Sequence, residues 1–336
     1  MLVQKISLVD YIFLSREVPL SLQALKIIKD RISFSEVINY TENDFRKLLT
    51  NLKSVDEVSI RSIDDKVRKF ADKSRGKTFE RIKKDLQICQ NNNIKCLSYF
   101  DKEYPTLLKT LKKPPKLIFI KGDIRPEDKK AVAIIGTRNP TKYGIKMTKL
   151  ISQRLVEKGF TIVSGFARGI DTIAMESALD SGGRAIGVIA SGILNLYPKE
   201  NQYLVENLVR NGAILSERFP LKNVTKQALR IRNGITSGLG LGNIFIEGNQ
   251  YSGTRWQFKY GTEQNKPAFA LVPIDDEVEQ AFIPNWILNE KGGGKITSID
   301  DVDFVAEVLL HEYEESKRLK LLKGSISSKQ TSLTKY

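Results

Sequence analysis

Hydrophobic and polar positions change their rhythm near residue 130. Before it, Leu20, Leu22, Leu25 and Ile28 form one apolar stripe and Phe45, Leu48, Leu49 and Leu52 another, at helical spacing with Ser and Asp between them. Residues 7–90 therefore read as a set of short helices. Ile94 to Leu97 and Lys116 to Ile120 read as strands, separated by Tyr104-Pro105 and Pro114-Pro115, whose fixed φ marks turns or stiff connections. From Ala131 onward apolar runs alternate with amphipathic segments: AVAIIG, 141–158, TIVSG, 170–180, AIGVIA, 199–210, AILSE, a polar stretch, NIFIEG, a helical segment after Thr254, and AFALV. Repeated strand–helix units build an α/β fold with a mainly parallel sheet and helices on both faces. A last helix is expected through Val305, Val308 and Leu309, and a polar, mobile tail from Gly324.

Two glycine loops open out of these strands, Ile134-Ile135-Gly136-Thr137-Arg138-Asn139-Pro140 and Val163-Ser164-Gly165-Phe166-Ala167-Arg168-Gly169-Ile170-Asp171. Glycine lets backbone approach a ligand closely, a helix start presents unpaired N–H groups to an anion, and arginine adds a planar, charged donor fork. In a parallel sheet ligands gather at the carboxyl ends of strands, where both loops fall. Leu196-Tyr197-Pro198, Arg230-Ile231-Arg232-Asn233 and Ser252-Gly253-Thr254 also follow strands and can line the same groove with hydroxyls and cations suited to phosphate and sugar. Tyr143, Phe166 and Tyr197 offer stacking faces to unpaired bases. Each has a plainer reading: Tyr143 as packing, Tyr197-Pro198 as a turn, Ser252-Gly253-Thr254 as a helix cap. Asp171, in a first helical turn, reads as a stabiliser of the helix dipole.

Charge and composition narrow the chemistry. The net charge is +15, with 54 Lys and Arg against 39 Asp and Glu, and the excess is spread along the chain. Such a balance favours nucleic acid or an anionic surface, although a merely solvated basic surface has the same composition. The basic run Arg61 to Lys84 is open to both readings. With 336 residues and 41% hydrophobic content, the chain can bury a substantial core and divide into two domains. Two cysteines, Cys89 and Cys96, suit a reducing, cytoplasmic setting. Met1 to Asp10 has no basic, apolar leader pattern, and no apolar run is long enough for a bilayer, so no membrane association is expected.

Several functions are disfavoured. The single histidine is His311, which removes His-based catalysis and His-ligated metal from the core; no catalytic residue and no metal are expected. The chain has neither G-x-G-x-x-G after its first parallel strand nor a P-loop, so no NAD, ATP or other cofactor is expected. Gly238-Leu239-Gly240-Leu241-Gly242 precedes a strand and reads as a flexible connection.

GTRNPTKYG, SGFARGID, Leu196-Tyr197-Pro198, LSERFP, Arg232-Asn233, Ser252-Gly253-Thr254 and AFALVP, in this order over about Cys96 to Lys295, resemble the DNA-processing protein A (DprA/Smf) family. The resemblance implies an extended Rossmann-like domain over 91–310, preceded by a small helical (SAM-like) domain over 1–90. Residues 311–336 are left as a helix end and flexible basic tail, without a winged-helix domain. It implies a non-enzymatic, single-stranded-DNA-binding homodimer that loads a RecA-type recombinase and protects incoming DNA in natural transformation. The DNA groove then maps onto Gly136, Thr137, Arg138 and Tyr143, onto Ser164, Gly165, Phe166, Arg168 and Gly169, and onto Arg232, Asn233, Ser252, Gly253 and Thr254. Met175, Tyr203, Gly234 and Gly248 stand where family members carry other residues. The alternative is a Rossmann-like nucleotide sensor or nucleoside-phosphate hydrolase; such hydrolases carry carboxylates where this chain has Arg255-Trp256-Gln257.

Overall fold

The computed structural model describes residues 7–52 and 60–315. The tail expected from Gly324 lies outside them. Two compact units divide the chain: one runs through Lys102 and adds Lys116–Ile118, and the other comprises Glu103–Pro115 and the residues from Phe119 onward.

The first unit contains helices α1 (Leu8–Ile12), α2 (Leu22–Arg31), α3 (Phe34–Ile38), α4 (Glu42–Asn51), α5 (Ile60–Phe70) and α6 (Arg75–Asn91), then strand β1 (Lys95–Ser98). Hydroxyl residues start the early helices, as their sequence predicts. The side chains of Ser21, Ser33 and Thr41 accept from the N–H groups of Ala24, Glu36 and Asp44, satisfying donors that a helix start leaves free. The core is aromatic: Phe45 stacks on Phe70 at 3.9 Å, and Phe13 on Phe79 at 4.8 Å. Part of the basic run is used here, because the Arg75 guanidinium lies 4.6 Å from the Phe70 ring centroid and donates to the Ile38 carbonyl. Burial pushes the Cys89 thiol up to about 11 and raises Cys96 as well.

The second unit holds the rest of β2 (Leu117–Gly122), then β3 (Ala131–Ile135), α7 (Lys142–Glu157), β4 (Thr161–Ser164), α8 (Ile170–Asp180) and β5 (Ala185–Ile189). It continues with α9 (Val205–Arg210), β6 (Gly212–Ser216), α10 (Lys226–Leu239), β7 (Asn243–Phe245), α11 (Thr254–Glu263), β8 (Ala268–Leu271) and β9 (Gly294–Ile296), and a helix covers 301–315. The sheet order is β2-β6-β5-β4-β3-β7-β8-β9. Every pairing from β6 through β9 is parallel, and β2 alone runs antiparallel, on β6. The strands β3, β4, β5 and β6 are buried along their whole length, the mark of a sheet covered on both sides. From β3 the chain steps one way through α7 and α8, and later returns to the other side of β3 through α10 and α11. Right-handed crossovers in opposite directions put these helix pairs on opposite faces.

Three expectations change. The polar stretch before β7 is the helix α10, capped by the Thr225 hydroxyl, which accepts from the Ala228 N–H at 3.1 Å. The segment Gly238–Gly242 is no flexible link: α10 runs to Leu239, Leu241 is buried, and its N–H donates to the Ala131 carbonyl at 2.7 Å. The short strand β9 was not legible, because Gly294-Lys295-Ile296 has no alternation and pairs only through tertiary contact with β8.

The amino ends of the central strands are laced by one carboxylate. Asp128, just before β3, accepts from Arg184 Nε and Nη2 at 2.9 Å each, from Thr161 Oγ1 at 2.8 Å and from the Arg125 N–H at 2.7 Å. These partners precede or open β4 and β5, so the network fixes three strands at the end remote from the glycine loops. The pair is nearly buried, so Asp128→Ala should lower stability by about 3–5 kcal/mol in chemical denaturation by leaving Arg184 uncompensated. A loss below 1 kcal/mol would show that the strand ends hold without it. At pH 8 the Cys89 thiol, 2% exposed, should react with a disulfide reagent far more slowly in the native chain than in urea; equal rates would contradict its burial.

Candidate nucleic-acid interface

The strand order reverses at β3, with β4 on one side and β7 on the other. The loops leaving β3 and β7 diverge there and open a crevice at the carboxyl ends of the strands. It measures about 510 Å³. Gly136, Thr137, Arg138 and Asn139 form one wall, Asn249 and Tyr251–Thr254 another, and Lys226, Arg230, Arg232 and Asn233 of α10 a third. Both α10 and α11 begin at this crevice, so their positive dipole ends lie beside it, although the first N–H groups of α11 already donate to Ser252 and Gly253.

A buried ion pair sets the floor. Asp171 and Arg232 are 4% and 8% exposed, with Arg232 Nη1 3.6 Å from Asp171 Oδ2. The carboxylate also accepts from the Ala167 N–H at 3.3 Å and from the backbone of Gly136 and Gly165, so it ties both glycine loops to α10. Burial raises the Asp171 carboxyl above its ordinary range, and the Arg232 charge and the N–H donors oppose that shift. Burial likewise lowers Arg232, against the attraction of Asp171. Arg232 Nε has no hydrogen-bond partner among the described residues, which leaves this cation with donor capacity to spare. Asp171 is thus a buried counter-ion that binds two loops together, a larger role than the dipole stabiliser its position in the sequence suggests.

The glycines of the second loop serve the first. A Cβ on Gly165 would fall 1.4 Å from Arg232 Nη1, so only glycine admits the guanidinium. Gly169 has φ +75°, and a Cβ there would lie 2.5 Å from the Thr137 carbonyl oxygen. The Ile170 N–H donates to that oxygen at 3.1 Å, so the second loop is the bed on which Thr137 and Arg138 rest.

Of the residues expected in the groove, Gly136, Thr137, Arg138, Arg232, Asn233, Ser252, Gly253 and Thr254 line this one crevice. Asn233 Nδ2 donates to the Gly253 carbonyl at 3.2 Å, and the Ser252 and Thr254 hydroxyls are 2.6 Å apart. The others lie elsewhere. Ser164 is buried and donates to the Ile134 carbonyl at 2.6 Å, a link between β4 and β3. Phe166 offers no stacking face: its ring is fully buried against β5 at Gly187, with φ +60° turning it inward. Arg168 points away to Glu200 at 3.4 Å, both largely exposed. Tyr143 lines a separate hollow of about 250 Å³ with Glu247, its hydroxyl 3.3 Å from the Val272 carbonyl. Tyr197 lies outside the crevice lining.

Residues not anticipated from the sequence complete the site. Lys226 joins Arg230 and Asn233, both in a segment already expected to line the groove, at helical spacing on α10. Tyr251 and Trp256 bring aromatic surface to the opposite wall. Glu247 is buried and accepts from Thr141 N at 2.9 Å and Thr141 Oγ1 at 2.5 Å, fixing the start of α7. Among the described residues no cluster of His, Cys, Asp or Glu is placed to hold a metal ion, and no helix is long and apolar enough to cross a membrane. The departures have local causes. Met175 is buried, a Cβ on Gly234 would meet the Tyr260 ring at 3.2 Å, one on Gly248 would meet Ile283 at 2.9 Å, and Tyr203 donates to Glu176 at 2.5 Å.

Residues 95–305 match the family model of DNA recombination-mediator protein A. The chain belongs to that family. It is 31% identical to the DNA processing protein DprA of Bacillus subtilis over 217 residues, covering 64% of this chain and 70% of that one. It is 36% identical to the protein Smf of Synechocystis over 201 residues, 58% of this chain and half of the relative. Among solved structures, DprA of Streptococcus pneumoniae superposes with a TM-score of 0.61 at 27% identity, over 84% of this chain and 98% of its own. DprA of Helicobacter pylori, described by its single-stranded DNA binding mode, gives 0.57 at 29% identity, over 66% of this chain and 97% of its own.

Removing one partner of the buried pair isolates its role. Asp171→Ala should cost about 3–5 kcal/mol in denaturant unfolding by leaving Arg232 buried without a counter-ion. Adding Arg232→Met should restore much of the loss. A double variant as unstable as the two single losses added together would mean that the residues act independently.

Proposed function

We propose that this chain binds single-stranded DNA in the crevice between the β3 and β7 loops and acts as a non-enzymatic recombination mediator. The observation that carries this reading is the charge of the lining. Arg138, Lys226, Arg230 and Arg232 face one space with a single carboxylate, Asp171, already bonded internally. The start of α10 and the Asn233, Ser252 and Thr254 polar groups add the kinds of group that phosphate and sugar contacts use. Family membership and the single-stranded-DNA binding described for the Helicobacter pylori relative support the same ligand.

The same lining argues against hydrolysis. It holds no histidine, and its one acid is buried and turned toward Arg232 and backbone N–H groups, so no free base faces the crevice. Membership in the family extends the proposal to loading of a RecA-type recombinase, protection of incoming DNA during natural transformation, a homodimeric state and a cytoplasmic location.

Fluorescence anisotropy with single- and double-stranded oligonucleotides across a salt series, with AMP as competitor, tests the reading. Single strands should bind tighter than duplex, and AMP should compete poorly. For single strands log K falls with log salt by about 0.7 for each phosphate neutralised, so Arg138→Ala with Lys226→Ala should make the slope shallower by about 1.4. An unchanged slope in the folded double variant would move the DNA elsewhere. Displacement by AMP at oligonucleotide-like concentration would favour a nucleotide sensor, and release of free base from a nucleoside monophosphate a hydrolase.

A further inference from the structure

We propose that Tyr251 is the residue by which the crevice distinguishes single-stranded from duplex DNA, its ring stacking on an unpaired base while the surrounding cations hold the phosphates. The inference deepens the single-strand reading and rests on it. Tyr251 is 83% exposed, the largest value among the exposed large apolar side chains, yet it lines the crevice beside Asn249 and Ser252. Arg138, Lys226 and Arg230 line the same crevice, and at this exposure the ring is open to solvent.

The loop that carries the ring is pinned. Asn249 Oδ1 accepts from the Tyr251 N–H at 3.1 Å, the Asn249 carbonyl accepts from the Ser252 N–H at 3.0 Å, and Asn249 Nδ2 donates to Glu279 at 2.6 Å. Its backbone is held from both sides, so the side chain is presented to the crevice and not left on a free tip. The nearby Trp256 differs in use. Its ring carries the Arg230 guanidinium at 4.7 Å and the Lys259 ammonium at 5.3 Å, so it positions cations. Tyr251 has no such cation among the described residues and keeps its face free for a base.

Strandedness follows from the physics of stacking. Every unpaired base has a π-face, and contact with an aromatic side chain is favourable whatever the sequence. In a duplex both faces of each internal base are already covered by neighbours, so Tyr251 gains nothing there while Arg138 and Lys226 still meet phosphates. The ring therefore adds affinity for single strands only.

The test compares wild type, Tyr251→Ala and Tyr251→Phe on an oligothymidine, on the same strand with abasic sites, and on a duplex of equal length. Tyr251→Ala should weaken binding to the intact single strand about tenfold, the scale of one lost base–aromatic stack. Duplex affinity and salt slope should not change. Tyr251→Phe should bind like wild type, and the abasic strand should not distinguish wild type from Tyr251→Ala. Equal losses on single strand and duplex, or an unchanged single-strand affinity in Tyr251→Ala, would overturn the role of Tyr251 and leave the single-strand reading standing. A wild-type chain that binds no oligonucleotide would sink both.

Discussion

The crevice depends on one ion pair beneath it. Asp171 and Arg232 are brought together from α8 and α10 in a nearly dry setting, where neither charge is tolerable alone. The carboxylate spends its remaining capacity on backbone N–H groups of both glycine loops. Three chain segments, far apart in sequence, are thereby held in register around a single group. The cost of this arrangement is visible at Arg232 Nε, buried without a partner. An anion arriving in the crevice meets a cation whose desolvation has already been met by folding, the condition under which electrostatic contacts are strongest.

The two ends of the sheet are stabilised by different means. At the amino ends, Asp128 and Arg184 form a bidentate pair that also takes Thr161 and backbone, a closed network with every member bonded. At the carboxyl ends the loops are joined by close backbone approach, at Gly165 and Gly169, where a side chain would collide with Arg232 or with the Thr137 carbonyl. The first arrangement ties three strands through one buried carboxylate. The second keeps backbone and cations open to solvent, which a ligand site requires.

Aromatic residues show where reading the chain alone goes astray. Tyr143 and Phe166 stand next to the glycine motifs and so resemble stacking residues, yet the φ of Phe166 sends its ring under β5 and α7 carries Tyr143 to another hollow. Tyr251 and Trp256, which do line the crevice, come much later in the chain, on the loop after β7 and in the first turn of α11. Arg168 illustrates the same point. It shares a loop with Gly165 and Gly169, yet its side chain pairs with Glu200 and does not line the crevice.

By itself the sequence determined most of the order of strands and helices, with α10 and β9 excepted, and the parallel character of the sheet, the two glycine loops and the basic surplus, because periodicity, turn chemistry and charge are properties of neighbouring residues. It also carried the family, through motifs whose order needs no coordinates. Which of those residues meet was decided only in three dimensions. The reversal of strand order at β3 sets the β7 loop and the start of α10 against the first glycine loop, joining Arg138, Lys226, Arg232 and Tyr251 across more than a hundred residues of chain. Burial then assigned their roles: Asp171 became a counter-ion, Phe166 core, and Tyr251 an open face, because solvent access and the nearest charge are fixed by packing and not by sequence position.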